Sequence, residues 1–101
     1  MNVLLISSSQ VMNVLIHRIL NDDNITQTTN GNIDIPSDID LILVEESLMT
    51  DNFVNSPTPG VVITIQPTGK LIERITGHNK TYVVKPFNGE QLNSRIQQVI
   101  G

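Results

Sequence analysis

A single α/β domain built on a parallel sheet is the fold class this sequence predicts. Three observations carry that expectation. Short uninterrupted apolar runs, Val3-Leu4-Leu5-Ile6, Leu41-Ile42-Leu43-Val44 and Val61-Val62-Ile63, recur along the chain, as strands covered on both faces require. Other stretches place apolar residues every third or fourth position, the mark of a helix with one buried stripe. The two patterns alternate, which is the order that makes parallel sheets with right-handed crossovers. A length of 101 residues suffices for one modest core and not for two.

The first strand, Val3 to Ile6, runs into Ser7-Ser8-Ser9-Gln10, which supplies turn and N-cap chemistry. Val11, Leu15 and Ile19, with Met12, Ile16 and Leu20, recur every fourth residue and give the first helix an apolar face. That helix is expected to stop near Asn21, because Asp22 and Asp23 oppose the negative end of a helix dipole. Ile25 to Thr28 reads as a short second strand, closed by the turn pair Asn30-Gly31. The next crossover helix is replaced by Asn32-Ile33-Asp34-Ile35-Pro36-Ser37-Asp38, short and interrupted by proline, so at most one helical turn is expected there. Leu41 to Val44 is the expected central strand.

From Glu46 to Pro59 no helical period is convincing, since Asn52, Asn55, Ser56, Pro57 and Pro59 interrupt it. Val61 to Ile65 reads as the fourth strand. Leu71, Ile72 and Ile75 mark a short helix that Gly77 ends, and Tyr82 to Val84 is the fifth strand. Asn88-Gly89-Glu90-Gln91 has the form of a capping box, opening a last helix whose apolar face is Leu92, Ile96, Val99 and Ile100. The second and third crossovers are thus eroded, at 31–39 and 46–59. They are expected to leave sheet surface less covered, a candidate partner site or dimer seam.

Composition narrows the function. Six basic against ten acidic residues give a net charge of -4, and a mildly acidic chain repels a phosphate backbone, so nucleic-acid binding is not expected. The absence of cysteine excludes disulfides and thiolate metal sites. The first apolar stretch is far too short for a signal peptide or a membrane span. Asn24-Ile25-Thr26 and Asn79-Lys80-Thr81 match the glycosylation acceptor pattern, but nothing else suggests secretion, and a cytoplasmic protein is expected. His17 falls in a helix and His78 in a loop, neither with a partner at ligand spacing, so no metal or phosphohistidine role is expected. The triple serine has a rival meaning, backbone N–H groups aimed at an anion or cofactor phosphate. One Tyr, two Phe and no Trp leave little to sandwich a flavin ring, however, and no glycine-rich fingerprint accompanies the serines.

Three segments carry a family resemblance. Tyr82-Val83-Val84-Lys85-Pro86-Phe87 is an apolar strand ending in lysine, then proline, then an aromatic before a new helix. Asp40-Leu41-Ile42-Leu43-Val44-Glu45 is a central apolar strand ending in an acid, and Met1 to Gln10 is an opening strand running into a polar turn. Together they resemble the receiver domains of bacterial response regulators, the CheY-like modules of two-component signalling. The resemblance spans nearly the whole chain with two internal deletions. It implies a flavodoxin-like sheet of five parallel strands in the order 2-1-3-4-5, with the second and third crossover helices shortened or lost, and a cis Lys85-Pro86 bond.

The resemblance also implies a site at the carboxyl ends of the strands, where Ser7, Ser8, Glu45, Thr64 and Lys85 stand. Thr64 takes the place of the strand-four hydroxyl that receivers couple to a strand-five aromatic, here Tyr82; Gln66 is the other candidate for that position. Receivers hold Mg²⁺ with an acidic pair and the target aspartate. This chain departs from the pattern, with neutral hydroxyls at 7 and 8 and a carboxylate one methylene longer at 45. Without the metal a transferring phosphoryl group loses its main stabiliser, so the site reads as a degenerate, phosphorylation-independent pocket in which Glu45 pairs with Lys85. No metal, no cofactor and no catalytic activity are expected.

The function this implies is an atypical receiver acting as a protein-interaction or dimerisation module in bacterial signalling, with a protein partner or a second copy. The face that receivers use would present Lys70, Glu73, Arg74, Tyr82 and Arg95, with Asn93 and Gln97 beside them. Two alternatives remain open: a receiver that accepts phosphate by an altered route, and a small flavodoxin-like anion or cofactor binder. The chain ends at Gly101 with no linker or output domain, an arrangement expected equally of a stand-alone protein and of one piece of a larger regulator.

Overall fold

The computed structural model describes residues 1–101. In chain order the elements are β1 (Asn2–Ile6), α1 (Gln10–Ile19), β2 (Asn24–Thr28), β3 (Leu41–Glu45), α2 (Asp51–Asn55), β4 (Gly60–Thr64), α3 (Gly69–Ile75), β5 (Lys80–Val84) and α4 (Gly89–Ile100), with a single 3₁₀ turn at Glu46–Leu48. All four strand pairings are parallel, and the sheet order is β2-β1-β3-β4-β5. The chain order reverses between β1 and β3, so the crevice of the fold lies above the carboxyl ends of those strands. No helix is long and apolar enough to cross a membrane.

β3 and β4 are buried at every position, which is why both read as continuous apolar runs. Their side chains alternate between two cores. On one face Leu5, Leu43 and Ile63 meet Met12 and Ile16 of α1, Leu20 just after it, and Leu92 and Ile96 of α4. On the other, Leu4, Ile6, Ile42, Val44 and Val62 meet Phe53 and Val54 of α2 and Leu71 and Ile75 of α3. Each helix starts on a polar cap: Ser9, Thr50, Thr68 and Asn88 accept from backbone N–H groups in the first turn. The capping box is reciprocal, with Asn88 Oδ1 accepting from Gln91 N–H at 2.9 Å and Gln91 Oε1 from Asn88 N–H at 2.8 Å.

Four details differ from expectation. The segment 46–59 does contain a helix, α2, because Thr50 caps it and Phe53 and Val54 anchor it in the core. The fourth strand begins at Gly60 and ends at Thr64, leaving Ile65 off the sheet and 77 % exposed. In α1, Val11 is 81 % exposed; a step of four residues drifts by about 40° around a helix, so the 11-15-19 row leaves the core face at its first member. Ile72 and Ile100 are also partly exposed, at 41 % and 44 %.

The most consequential correction concerns the eroded crossovers, which do not leave the sheet bare. Leu4, Ile6, Ile42 and Val44 on that face are at most 3 % exposed. Ile33, Ile35 and Ile39 from the irregular segment, with Leu48 at the end of the 3₁₀ turn and Met49 after it, pack against them. Gly31 makes this possible, since a Cβ there would lie 2.1 Å from the Leu48 carbonyl oxygen, and Thr50 Oγ1 donates to the Gly31 carbonyl at 2.6 Å. Where cover stops, at β2, the positions on that face are Asn24, Thr26 and Thr28, in register with Asn2, Leu4 and Ile6. Polar residues there tolerate water, so no helix is required.

Candidate functional site

The carboxyl ends of β1, β3, β4 and β5 bring Ser7, Glu45, Thr64 and Lys85 together. Ser7 follows the last residue of β1 and is fully buried, and its hydroxyl donates to Glu45 Oε2 at 2.9 Å. The same Ser7 oxygen accepts the Ser9 N–H at 3.0 Å, which fixes the turn into α1. Glu45 closes β3 and is 9 % exposed. Its other oxygen, Oε1, accepts from Lys85 Nζ at 2.9 Å. Lys85 is anchored in turn by its backbone N–H, which donates to the Thr64 carbonyl at 2.8 Å, and the Lys85-Pro86 peptide is cis. Both carboxylate oxygens of Glu45 are therefore held by donors of the chain itself. Charge-assisted hydrogen bonds of this kind are short and roughly twice as strong as neutral ones.

Of the two candidates on this stretch, Thr64 and not Gln66 stands at the strand end and lines the cleft. Thr64 closes β4 and is 1 % exposed, whereas Gln66 lies past the strand and is exposed. The Thr64 hydroxyl lies 2.5 Å from Glu46 Oε1 and 3.0 Å from the Gln66 carbonyl, and it accepts the Gln66 N–H at 3.1 Å. A hydroxyl has one proton to give, and the shorter contact, to a carboxylate, takes it. Tyr82 lies on the same sheet face as Thr64, in register with Val62. Its half-buried ring packs against the α2–α3 core, with the Arg95 guanidinium 4.9 Å from the ring centroid.

Glu46 is the residue that sequence reasoning missed here. It sits in the first position beyond β3, inside the 3₁₀ turn, and with Glu45, Ser47, Thr64, Ile65 and Lys85 it lines a cleft of about 380 Å³. The signal was the acidic doublet closing the central strand, but only the turn geometry aims its second member at Thr64. Ser8 does not join the cleft: it is exposed and its hydroxyl bonds to nothing in the chain.

The residues present do not fit the magnesium ion that receivers hold. A hard divalent ion wants several anionic oxygens, and here the β1 position offers a buried hydroxyl already donating to Glu45, while both Glu45 oxygens are engaged. No three acidic or histidine side chains converge anywhere in the fold. Charge tells the same way. Lys85 neutralises Glu45, Glu46 adds an unpaired carboxylate beside it, and an entering phosphoryl dianion meets net negative charge.

The predicted docking residues differ in exposure, those of α3 being exposed and Tyr82 and Arg95 half-buried. Lys70, Glu73 and Arg74 are exposed on α3, and Arg74 bonds Asp51 of α2 at 2.8 Å. Arg95 is half-buried over Tyr82, while Asn93 and Gln97 are exposed beside it on α4. A second overlooked residue lies at the opposite end of the sheet. Lys80 is 9 % exposed and its ammonium donates to the carbonyls of Ser56, Thr58 and His78 at 2.8–2.9 Å, 5.3 Å from the Phe53 ring centroid. Burial pulls this ammonium down to about 8. Gly60, opposite Lys80 in register, leaves the room that its stem and the Phe53 ring fill.

No protein-family model matches the sequence, and no curated protein matches it. Solved structures do. The receiver domain of ChxR from Chlamydia trachomatis superposes with a TM-score of 0.74 at 19 % identity, over 99 % of this chain and 98 % of that one. The chemotaxis protein CheY4 of Vibrio cholerae gives 0.78 at 19 % identity, over 97 % of each. The receiver domain of the sensor histidine kinase PA1611 from Pseudomonas aeruginosa, which holds a magnesium ion in its active site cleft, gives 0.69 at 18 % identity over 99 % and 97 %. The chain has the CheY-like receiver fold, with the strand order that the sequence resemblance implied.

Proposed function

We propose that this chain is a receiver-type signalling domain that works by docking to protein rather than by accepting a phosphoryl group. One observation supports this most: both oxygens of Glu45, at the phosphoacceptor position, are occupied by Ser7 Oγ and Lys85 Nζ at 2.9 Å each. A phosphoryl acceptor needs a free carboxylate oxygen and a metal to offset the charge on the transferring group. Here the acceptor is spoken for, and the added carboxylate of Glu46 opposes an anion. The internal ion pair stands where a phosphate contact would, so the domain rests in one state without an input of phosphate.

Output then passes through a surface that does not depend on the cleft. The mixed charges of α3 and α4 around Tyr82 and Arg95 suit a protein partner with complementary charges, and a homodimer through that face is the other form of the same reading. The test is an amide NMR titration with Mg²⁺ and beryllofluoride. The expected spectrum is unchanged around residues 7, 45, 64 and 85. Saturable shifts clustered at those residues, or a covalent adduct on Glu45 after incubation with acetyl phosphate, would overturn the reading.

A further inference from the structure

Two edges bound the sheet, and they are built differently. Pro86 follows β5 closely, and α4 reaches across the strand with a charged and a polar side chain: Arg95 to the Tyr82 ring at 4.9 Å, and Gln98 Oε1 to the Thr81 hydroxyl at 3.1 Å. Charges, proline and covering side chains are the devices that block strand addition. The β2 edge has none of them. Residues 24–30, Asn-Ile-Thr-Gln-Thr-Thr-Asn, hold no charge and no proline, and four of the seven are β-branched.

The ladder fixes which backbone groups are free. Asn24 N–H donates to the Met1 carbonyl at 3.0 Å, and the Thr28 carbonyl accepts from Ser7 N–H at 2.9 Å. In this parallel pair Asn24, Thr26 and Thr28 therefore turn their backbone groups toward β1. The N–H and C=O of Ile25 and Gln27 point away from the sheet, and no loop or side chain of the chain bonds to them. With the crossover helix absent, Thr26 is also exposed on the adjoining face.

We propose that the β2 edge is a self-association surface, on which a second copy of this chain lays its own β2 antiparallel to join the two five-stranded sheets into one. With the two-fold axis at Thr26, Ile25 of each copy and Gln27 of the other exchange both backbone hydrogen bonds. Thr26 meets its counterpart as a non-hydrogen-bonded pair, the closer of the two antiparallel pairings and a favourable one for threonine. A second copy is the occupant because the seam is self-complementary: a chain of net charge -4 resists its own copy over most of its surface, but across this edge it brings no charge at all. Asn24 opposes Thr28, and nothing clashes in sign. Four backbone hydrogen bonds with little apolar area make a reversible dimer, not an obligate one. The inference stands independently of whether Glu45 accepts phosphate.

The test is sedimentation of the full chain over a concentration series. Wild type is expected to dimerise reversibly. Thr26→Lys, which sets two ammoniums together at the axis, is expected to weaken the dimer at least about tenfold, with an unchanged circular dichroism spectrum, while Tyr82→Ala at the far side leaves association unchanged. Because the chain has no cysteine, Thr26→Cys carries a single thiol and is expected to form a disulfide-linked dimer under an added oxidant, whereas Thr81→Cys at the β5 edge stays monomeric. A wild type monomeric at millimolar concentration overturns the proposal. So does a dimer weakened by Tyr82→Ala and indifferent to Thr26→Lys, which would assign association to the α3–β5–α4 face.

Discussion

Replacing Lys85 with methionine removes the ammonium 2.9 Å from Glu45 Oε1 and leaves a carboxylate, its side chain 12 % exposed, held by Ser7 alone. At that separation two unit charges attract by roughly 5–6 kcal/mol at an effective dielectric of about 20. Desolvation of the carboxylate and ordering of the lysine stem oppose this. The 35 % exposure of Lys85 also admits solvent screening. The coupling left is about 1–2 kcal/mol, above an exposed pair and below a fully buried one. A double-mutant cycle of Glu45→Gln and Lys85→Met, read by urea unfolding at neutral pH, isolates that coupling. Each single substitution is expected to lower Tm by roughly 5–15 °C in a domain of this size, and the double variant to be more stable than the two effects summed. A coupling below about 0.5 kcal/mol, or one abolished by high salt, would refute the reasoning, because Glu45 would then be a freely solvated acid and the pocket would not be sealed.

Lys80 gives a pH signature. Below about pH 8 folded and unfolded chains both hold its proton; between about 8 and the ordinary 10.5 the folded chain sheds it first, so stability rises with pH across that window. The rise is expected to be about 1–2 kcal/mol, less than the full shift because three carbonyls favour the ammonium, and it should be missing in Lys80→Met. The difference between the two urea-unfolding pH profiles is the measurement, and a flat or falling difference contradicts the account. Gly60→Ala drives a Cβ to 2.6 Å from the Phe53 ring and 2.8 Å from the Lys80 stem, and should destabilise by about 1–3 kcal/mol. Gly69→Ala meets nothing within 4 Å at the start of α3 and should stabilise by about 0.5 kcal/mol in the same thermal melts. Asn88→Ala breaks the capping box of α4 and should cost about 1 kcal/mol, whereas Asn88→Asp should be nearly silent.

The strands and their order of appearance were legible because a parallel strand covered on both faces must be apolar at consecutive positions, as Leu41–Val44 is. The caps at Ser9 and Asn88 were legible because they use local contacts, three residues apart. Ile33, Ile35 and Ile39 were misjudged since they cover the sheet from irregular backbone, which has no period to detect. Glu46 and Lys80 escaped notice for a related reason: an acid after a strand and a lysine before one both read as solvated, and each owes its partner to a segment from elsewhere in the chain, the end of β4 for Glu46 and the loop after α2 for Lys80.

Sequence alone determined the α/β class, the parallel strands, the neutral hydroxyls of Ser7 and Ser8 after the first strand, and the approach of Glu45 to Lys85, since strand ends in such a sheet converge at one edge. Tertiary structure alone decided that Ser7 and not Ser8 completes the pocket, that Thr64 is held by Glu46, and that β2 is the open edge. The division follows from range. Patterns of two to four residues specify an element and its faces, whereas which loop covers a surface, and which edge stays bare, depends on packing among segments 19 to 40 residues apart.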